Sequence, residues 1–143
     1  MKRSAVIRLR FAIGAVALAC LPWNAGAAPS PLLNDCLNAV IDNEHSSRWP
    51  AVTVCYESEL SAQERRLQAA NQALDTSAAR LDARARQQIA SSHSQWLLYR
   101  DSWCAFEQDY AKAPNADIAR LSCRIDVTKA QADRAAEQAA ALR

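Results

Sequence analysis

The stretch Ile89–Cys123, IASSHSQWLLYRDSWCAFEQDYAKAPNADIARLSC, decides how this chain folds. Within it Trp96, Tyr99, Trp103, Phe106 and Tyr110 recur at steps of 3, 4, 3 and 4. On a helix of about 3.6 residues per turn those steps gather the rings into one seam. Arg100 and Cys104 lie one turn apart beside the seam, and Cys123 follows across a segment containing Pro114. The pattern predicts a helix with a single aromatic face. Trp96, Tyr99 and Trp103 are expected to be buried, against Leu60, Leu67 or Leu74 on one side and Leu121 or Ile125 on the other. Arg100 is expected to stack on a ring and fork onto a carboxylate, Glu59 first, with Glu57 or Glu107 as alternatives.

Upstream, the chain opens with Lys2, Arg3, Arg8 and Arg10, then the apolar run FAIGAVALACLPW, then Ala25, Gly26 and Ala27. A charged start, a short apolar middle and an A-x-A exit read as a secretory signal peptide over residues 1–27, cleaved after Ala27. The run is too short for a membrane span. Cys20 would suit a lipoprotein signal, but that signal favours Leu or Val where Ala17 stands, so a periplasmic or secreted protein is the preferred expectation.

Removing residues 1–27 leaves 116, enough for a single domain over 28–143. The excised segment takes four of the 17 basic residues and none of the 15 acidic ones, so the remainder carries −2. With no basic stripe, nucleic acid is not expected as a partner. Both glycines, Gly14 and Gly26, fall in the signal. Phosphate-cradling loops, dinucleotide fingerprints and nucleophile elbows all need glycine, so those classes are excluded. Ala, Gln, Arg and Leu fill the space, and the fold class is all-α.

Cys36, Cys55, Cys104 and Cys123 remain, an even number in an exported chain, which reads as two disulfides. Three pairings are possible. Cys36 with Cys55 and Cys104 with Cys123 is favoured, because each interval is 19 residues and encloses a proline-bearing turn. A zinc site from these thiols with His45 or His93 lacks the C-x-x-C spacing, and no cofactor is expected.

The expected architecture is a bundle of about four helices, two stapled hairpins with one long central helix. A first helix is expected over about 32–44, with Ser30 as N-cap and Pro31 in the first turn. A polar turn, His45–Trp49, leads to Pro50 and the long second helix, on which Leu60, Leu67, Leu74 and Leu81 recur every seven residues. Glu64 and Asn71 occupy the alternate seam positions, which argues against a dimeric coiled coil. Asp82 is the expected N-cap of the third helix, with Asp75 as the alternative. After Pro114, Ile118, Leu121, Ile125, Thr128, Ala132, Ala135, Ala139 and Leu142 keep a helical stripe whose second half is small.

No catalytic constellation stands out. Glu57, Glu59, Asp101, Glu107 and Asp109 fit solvated helix faces better than a glycosidase pair. Ser92, His93 and Ser94 point in different directions on a helix, and Cys104 is expected to be oxidised. The protein is therefore read as a non-enzyme.

Across residues 36–134 the chain resembles the LprI-type family of small exported bacterial proteins. The resemblance rests on Trp96, Tyr99, Arg100, Asp101 and Cys104 as W-x-x-Y-R-D-x-x-C, with Cys36, Cys55, Glu59, Leu67, Leu74, Cys123 and Thr128 around it. Ser92 and His93 stand where the family has Ala-Gln, Asn71 where it has Tyr, and Gln131 where it has Arg. The resemblance implies a helical, disulfide-stapled envelope protein that binds and inhibits lysozyme. The alternative is a structural or adaptor module that binds another envelope protein.

Overall fold

The computed structural model describes residues 30–41, 48–110 and 115–143. The signal-peptide and Cys20 readings, the first helix beyond Ile41, the His45–Ser47 turn and the turn at Pro114 lie outside the described residues. The chain forms α1 (Pro31–Ile41), α2 (Arg48–Ala78), α3 (Ala83–Tyr110) and α4 (Ala116–Ala141), with no strand among the described residues.

Short polar side chains start these helices. Ser30 Oγ accepts the Leu33 amide proton at 3.1 Å, and Pro31 takes the first helical position. Asp82 Oδ1 accepts from the Ala85 amide at 2.6 Å, and Asn115 Oδ1 from the Ile118 amide at 3.1 Å. α2 begins at Arg48, so Arg48 and Trp49, expected in the turn before Pro50, are already helical. The first turn of a helix has no carbonyl for its N–H groups, so Pro50 is accommodated inside it. Leu81 falls beyond the end of α2 and is 58% exposed, while Leu60, Leu67 and Leu74 are buried.

α4 is the element on which the others converge. It packs most extensively on α2 and next on α3, whereas α2 and α3, although consecutive, touch only slightly. Ile125, Thr128, Ala132, Ala135 and Ala139 are its buried positions, at alternating steps of 3 and 4. Leu74 packs with Ala135 and Ala139, backed by Ala70, Ala73 and Ile89. The small side chains let two helix backbones approach, and Ser77 Oγ donates to the Ala139 carbonyl at 3.3 Å.

The disulfides are Cys36–Cys55 and Cys104–Cys123, with Cα separations of 5.7 and 5.5 Å. One staples α1 to α2 and the other α3 to α4, which is the expected pair of hairpins. Each closes a 19-residue interval, for which the chain-entropy model gives about 3 kcal/mol. Among the described residues all four cysteines are thereby consumed, so none of them is available to a metal or as a nucleophile.

Ion pairs complete the frame. Arg86 forks onto Asp75 across the α2–α3 turn at 3.1 and 2.9 Å, and Arg66 on α2 and Lys129 both reach Asp133 on α4. The hydrogen bond from Arg86 lowers the Asp75 carboxyl below its ordinary 3.8, against an opposing desolvation and with a smaller Coulombic pull from the same arginine. At Asp133 desolvation opposes the change, but hydrogen bonds from Lys129 and Arg66 prevail and the carboxyl is again lowered.

Two expectations follow from this packing. Ala135→Leu forces a larger side chain into a close backbone approach and should destabilise by about 1–3 kcal/mol in urea denaturation. Because the folded Asp75 titrates below 3.8, its contribution is intact above that value and is lost as pH falls through the lowered one. Asp75→Asn should therefore flatten the loss of stability on acidification below about pH 4, by a small amount that salt reduces further.

Candidate functional site

α3 carries two distinct faces. The inner one begins with Arg100 and Cys104, its buried residues. Arg100 lies with its guanidinium carbon 5.3 Å from the Trp96 ring centroid, one helical turn away. Its Nε and Nη2 both lie 2.9 Å from Asp101 Oδ1, and its Nη1 reaches Glu64 Oε1 at 3.4 Å and the fully buried Thr128 hydroxyl at 3.5 Å. Arg124 Nη2 meets the same Glu64 oxygen at 3.1 Å. Two arginines and two acids thus form a charge-balanced knot where α2, α3 and α4 meet.

This differs from the expected Glu59 partnership. Glu59 is 2% exposed, but it accepts from Ser30 Oγ at 2.5 Å and from Gln63 Nε2 at 2.8 Å. It ties the start of α1 to α2, and Arg100 lies further along α2, level with Glu64. Sequence reasoning missed Glu64, Thr128 and Arg124 as the partners. The signals were present for two of them: Glu64 interrupts the α2 leucine seam and Thr128 is a polar residue inside the α4 stripe.

The outer face holds the aromatic seam, and here the expected burial is overturned. Tyr99, Trp103, Phe106 and Tyr110 are 54%, 42%, 49% and 72% exposed. The rings pack on one another instead of on the core. Centroid separations are 6.4 Å for Tyr99–Trp103, 5.5 Å for Trp103–Phe106 and 4.8 Å for Phe106–Tyr110. Trp96 is half-buried because it lies between the two faces, stacked with His93 at 6.0 Å. Inward-pointing Arg100 and Cys104 each follow an aromatic residue by one position, and one position on a helix is a rotation of about 100°. Seating Arg100 and Cys104 inward therefore turns Tyr99 and Trp103 outward.

His93 Nδ1 lies 3.1 Å from Asn71 Nδ2. The amide donates, so the imidazole nitrogen facing it accepts. Two of the positions at which the sequence departs from the LprI pattern are thus in contact, on α2 and α3. The contact sits at the edge of an open cleft of about 590 Å³ between those helices, lined among others by Leu67, Leu97 and Arg100. Among the described residues no group of three or more His, Cys, Asp or Glu side chains is placed to hold a metal ion.

The helices, staples and charge knot define a small disulfide-stapled helical domain with an aromatic surface left open. The family described as "Lysozyme inhibitor LprI" matches residues 42–134, well over half of the chain, and the protein belongs to that family. No curated protein and no solved structure shows significant similarity to the chain.

The two faces separate in mutagenesis. Arg100→Ala removes a stacked, buried cation, strands the Thr128 hydroxyl and leaves two half-exposed acids hydrated, and should cost about 2 kcal/mol. Trp103→Ala removes a half-exposed ring and should cost no more than about 1 kcal/mol. Chemical denaturation of both variants reads the difference; equal losses would contradict the inward and outward assignment.

Proposed function

We propose that the protein is an exported, non-enzymatic cell-envelope protein that binds lysozyme and inhibits it by occluding the enzyme's cleft. The observation that carries this reading is the solvent-facing run of Tyr99, Trp103, Phe106 and Tyr110 in a chain of the lysozyme-inhibitor family. Large rings left in water gain most when a partner covers them, and aromatic side chains dominate the energetics of protein interfaces. The Cys104–Cys123 staple and the buried Arg100 hold the underlying helix in place, so little ordering cost falls on binding. Two disulfides suit an oxidising, extracytoplasmic compartment. No helix among the described residues is long and apolar enough to cross a membrane. The signal-peptide reading of residues 1–27 supplies the export route.

Lysozyme turnover on cell-wall substrate, measured with excess purified protein, tests the proposal. Turnover should fall, and Phe106→Ala should weaken inhibition about tenfold or more while leaving the fold intact. Undiminished turnover with no complex on gel filtration would reject the inhibitor reading. A complex without loss of turnover would favour the adaptor role.

A further inference from the structure

The C-terminal half of α3 breaks two rules that stability alone would keep. From Asp101 to Tyr110 it has three acids, Asp101, Glu107 and Asp109, and no basic residue. Lys112 follows in the segment outside the described residues. The same segment exposes Trp103, Phe106 and Tyr110. Locally unfavourable choices of this kind concentrate where a surface serves recognition.

Glu107 and Asp126 take part in none of the ion pairs among the described residues. They meet Trp103 at an open recess of about 410 Å³ between α3 and α4, whose two walls are locked together by the Cys104–Cys123 bond. Desolvation raises the Asp126 carboxyl, and the Coulombic pull of Lys129 offsets this in part. The Lys129 ammonium is itself bonded to Asp133 at 3.2 Å. A partly desolvated carboxylate, a second carboxylate and the face or edge of an indole together favour an incoming cation, through charge and through the ring quadrupole.

We propose that this face of α3 docks a basic protein surface and that the recess formed by Trp103, Glu107 and Asp126 receives one arginine or lysine side chain of that partner. The inference rests on the reading of α3 as the binding face and adds the chemistry of the partner. Charge complementarity selects the occupant. An acidic protein or a nucleic acid would bring anions against Glu107, Asp109 and Asp126. A second copy of this chain, packed isologously on the same face, would oppose those carboxylates to themselves.

Two arms test the proposal. In the first, arginine ethyl ester, which carries no carboxylate, is titrated into ¹⁵N-labelled protein and the indole N–H resonances are followed. The Trp103 signal should shift saturably while Trp49 and Trp96 stay still, and Glu107→Gln with Asp126→Asn should abolish the shift without changing the melting temperature. No saturable Trp103 shift, or one that the double variant retains, overturns the subsite. So does a Trp103 response to N-acetylglucosamine oligomers with none to the arginine ester. In the second arm, lysozyme binding is measured by calorimetry over a range of salt. The double variant should raise Kd about tenfold or more and flatten the salt dependence. If Phe106→Ala weakens binding and the double variant does not, α3 stands as the binding face but the cation subsite falls. If neither weakens it, the reading of α3 as the binding face falls as well.

Discussion

The rotational setting of α3 about its own axis is the constraint from which the rest of this structure follows. Two covalent and electrostatic anchors fix it: the Cys104 sulfur bonded to Cys123, and the Arg100 guanidinium held among Glu64, Asp101 and Thr128. Both anchors lie on one side of the helix, one turn apart, and together leave no freedom to roll. The aromatic residues occupy the adjacent strip and are turned to solvent. A roll of about 100° would bury Tyr99 and Trp103 but would tear the disulfide geometry and carry Arg100 into water. The covalent bond wins, and the protein keeps an apolar surface that folding alone would have hidden.

The core that remains is correspondingly thin. α4 presents mainly alanine to α2, and alanine buries little area, so the helices gain closeness more than hydrophobic energy. The two staples, the forked Arg86–Asp75 pair across the α2–α3 turn and the ties to Asp133 make up part of the difference. The exposed ion pairs contribute modestly and are screened by salt. A small chain with two disulfides can rely on cross-links in this way, which leaves its largest side chains free of the core.

Charge is divided between the faces of α3 as clearly as ring burial is. The inner knot balances Arg100 and Arg124 against Glu64 and Asp101, so a buried cation is compensated and the junction of three helices is electrically quiet. Beside the outer face, Glu107 on α3 and Asp126 on α4 enter no ion pair among the described residues. The first arrangement serves stability; the second is the one we propose for recognition. One helix does both because its periodicity gives it independent strips.

Periodicity, glycine content and cysteine spacing pointed to the helical class, the helix that Asp82 starts, the leucine stripe as far as Leu74, the alanine stripe and the favoured pairing of both disulfides, because each depends on residues close in sequence. The same periodicity showed that Trp96, Tyr99, Trp103, Phe106 and Tyr110 share a strip, but a strip has no label saying whether it faces core or water. That choice rests on which neighbouring helix Cys104 and Arg100 reach, a matter of tertiary contact. The Arg100 acceptor was misassigned to Glu59 for a related reason: Glu59 and Glu64 lie five residues apart on α2, and the sliding position of α3 along α2 selects between them. Local chemistry determined what the elements are; the rotation and translation of one helix against two others decided which of its side chains hold the fold and which are left for a partner.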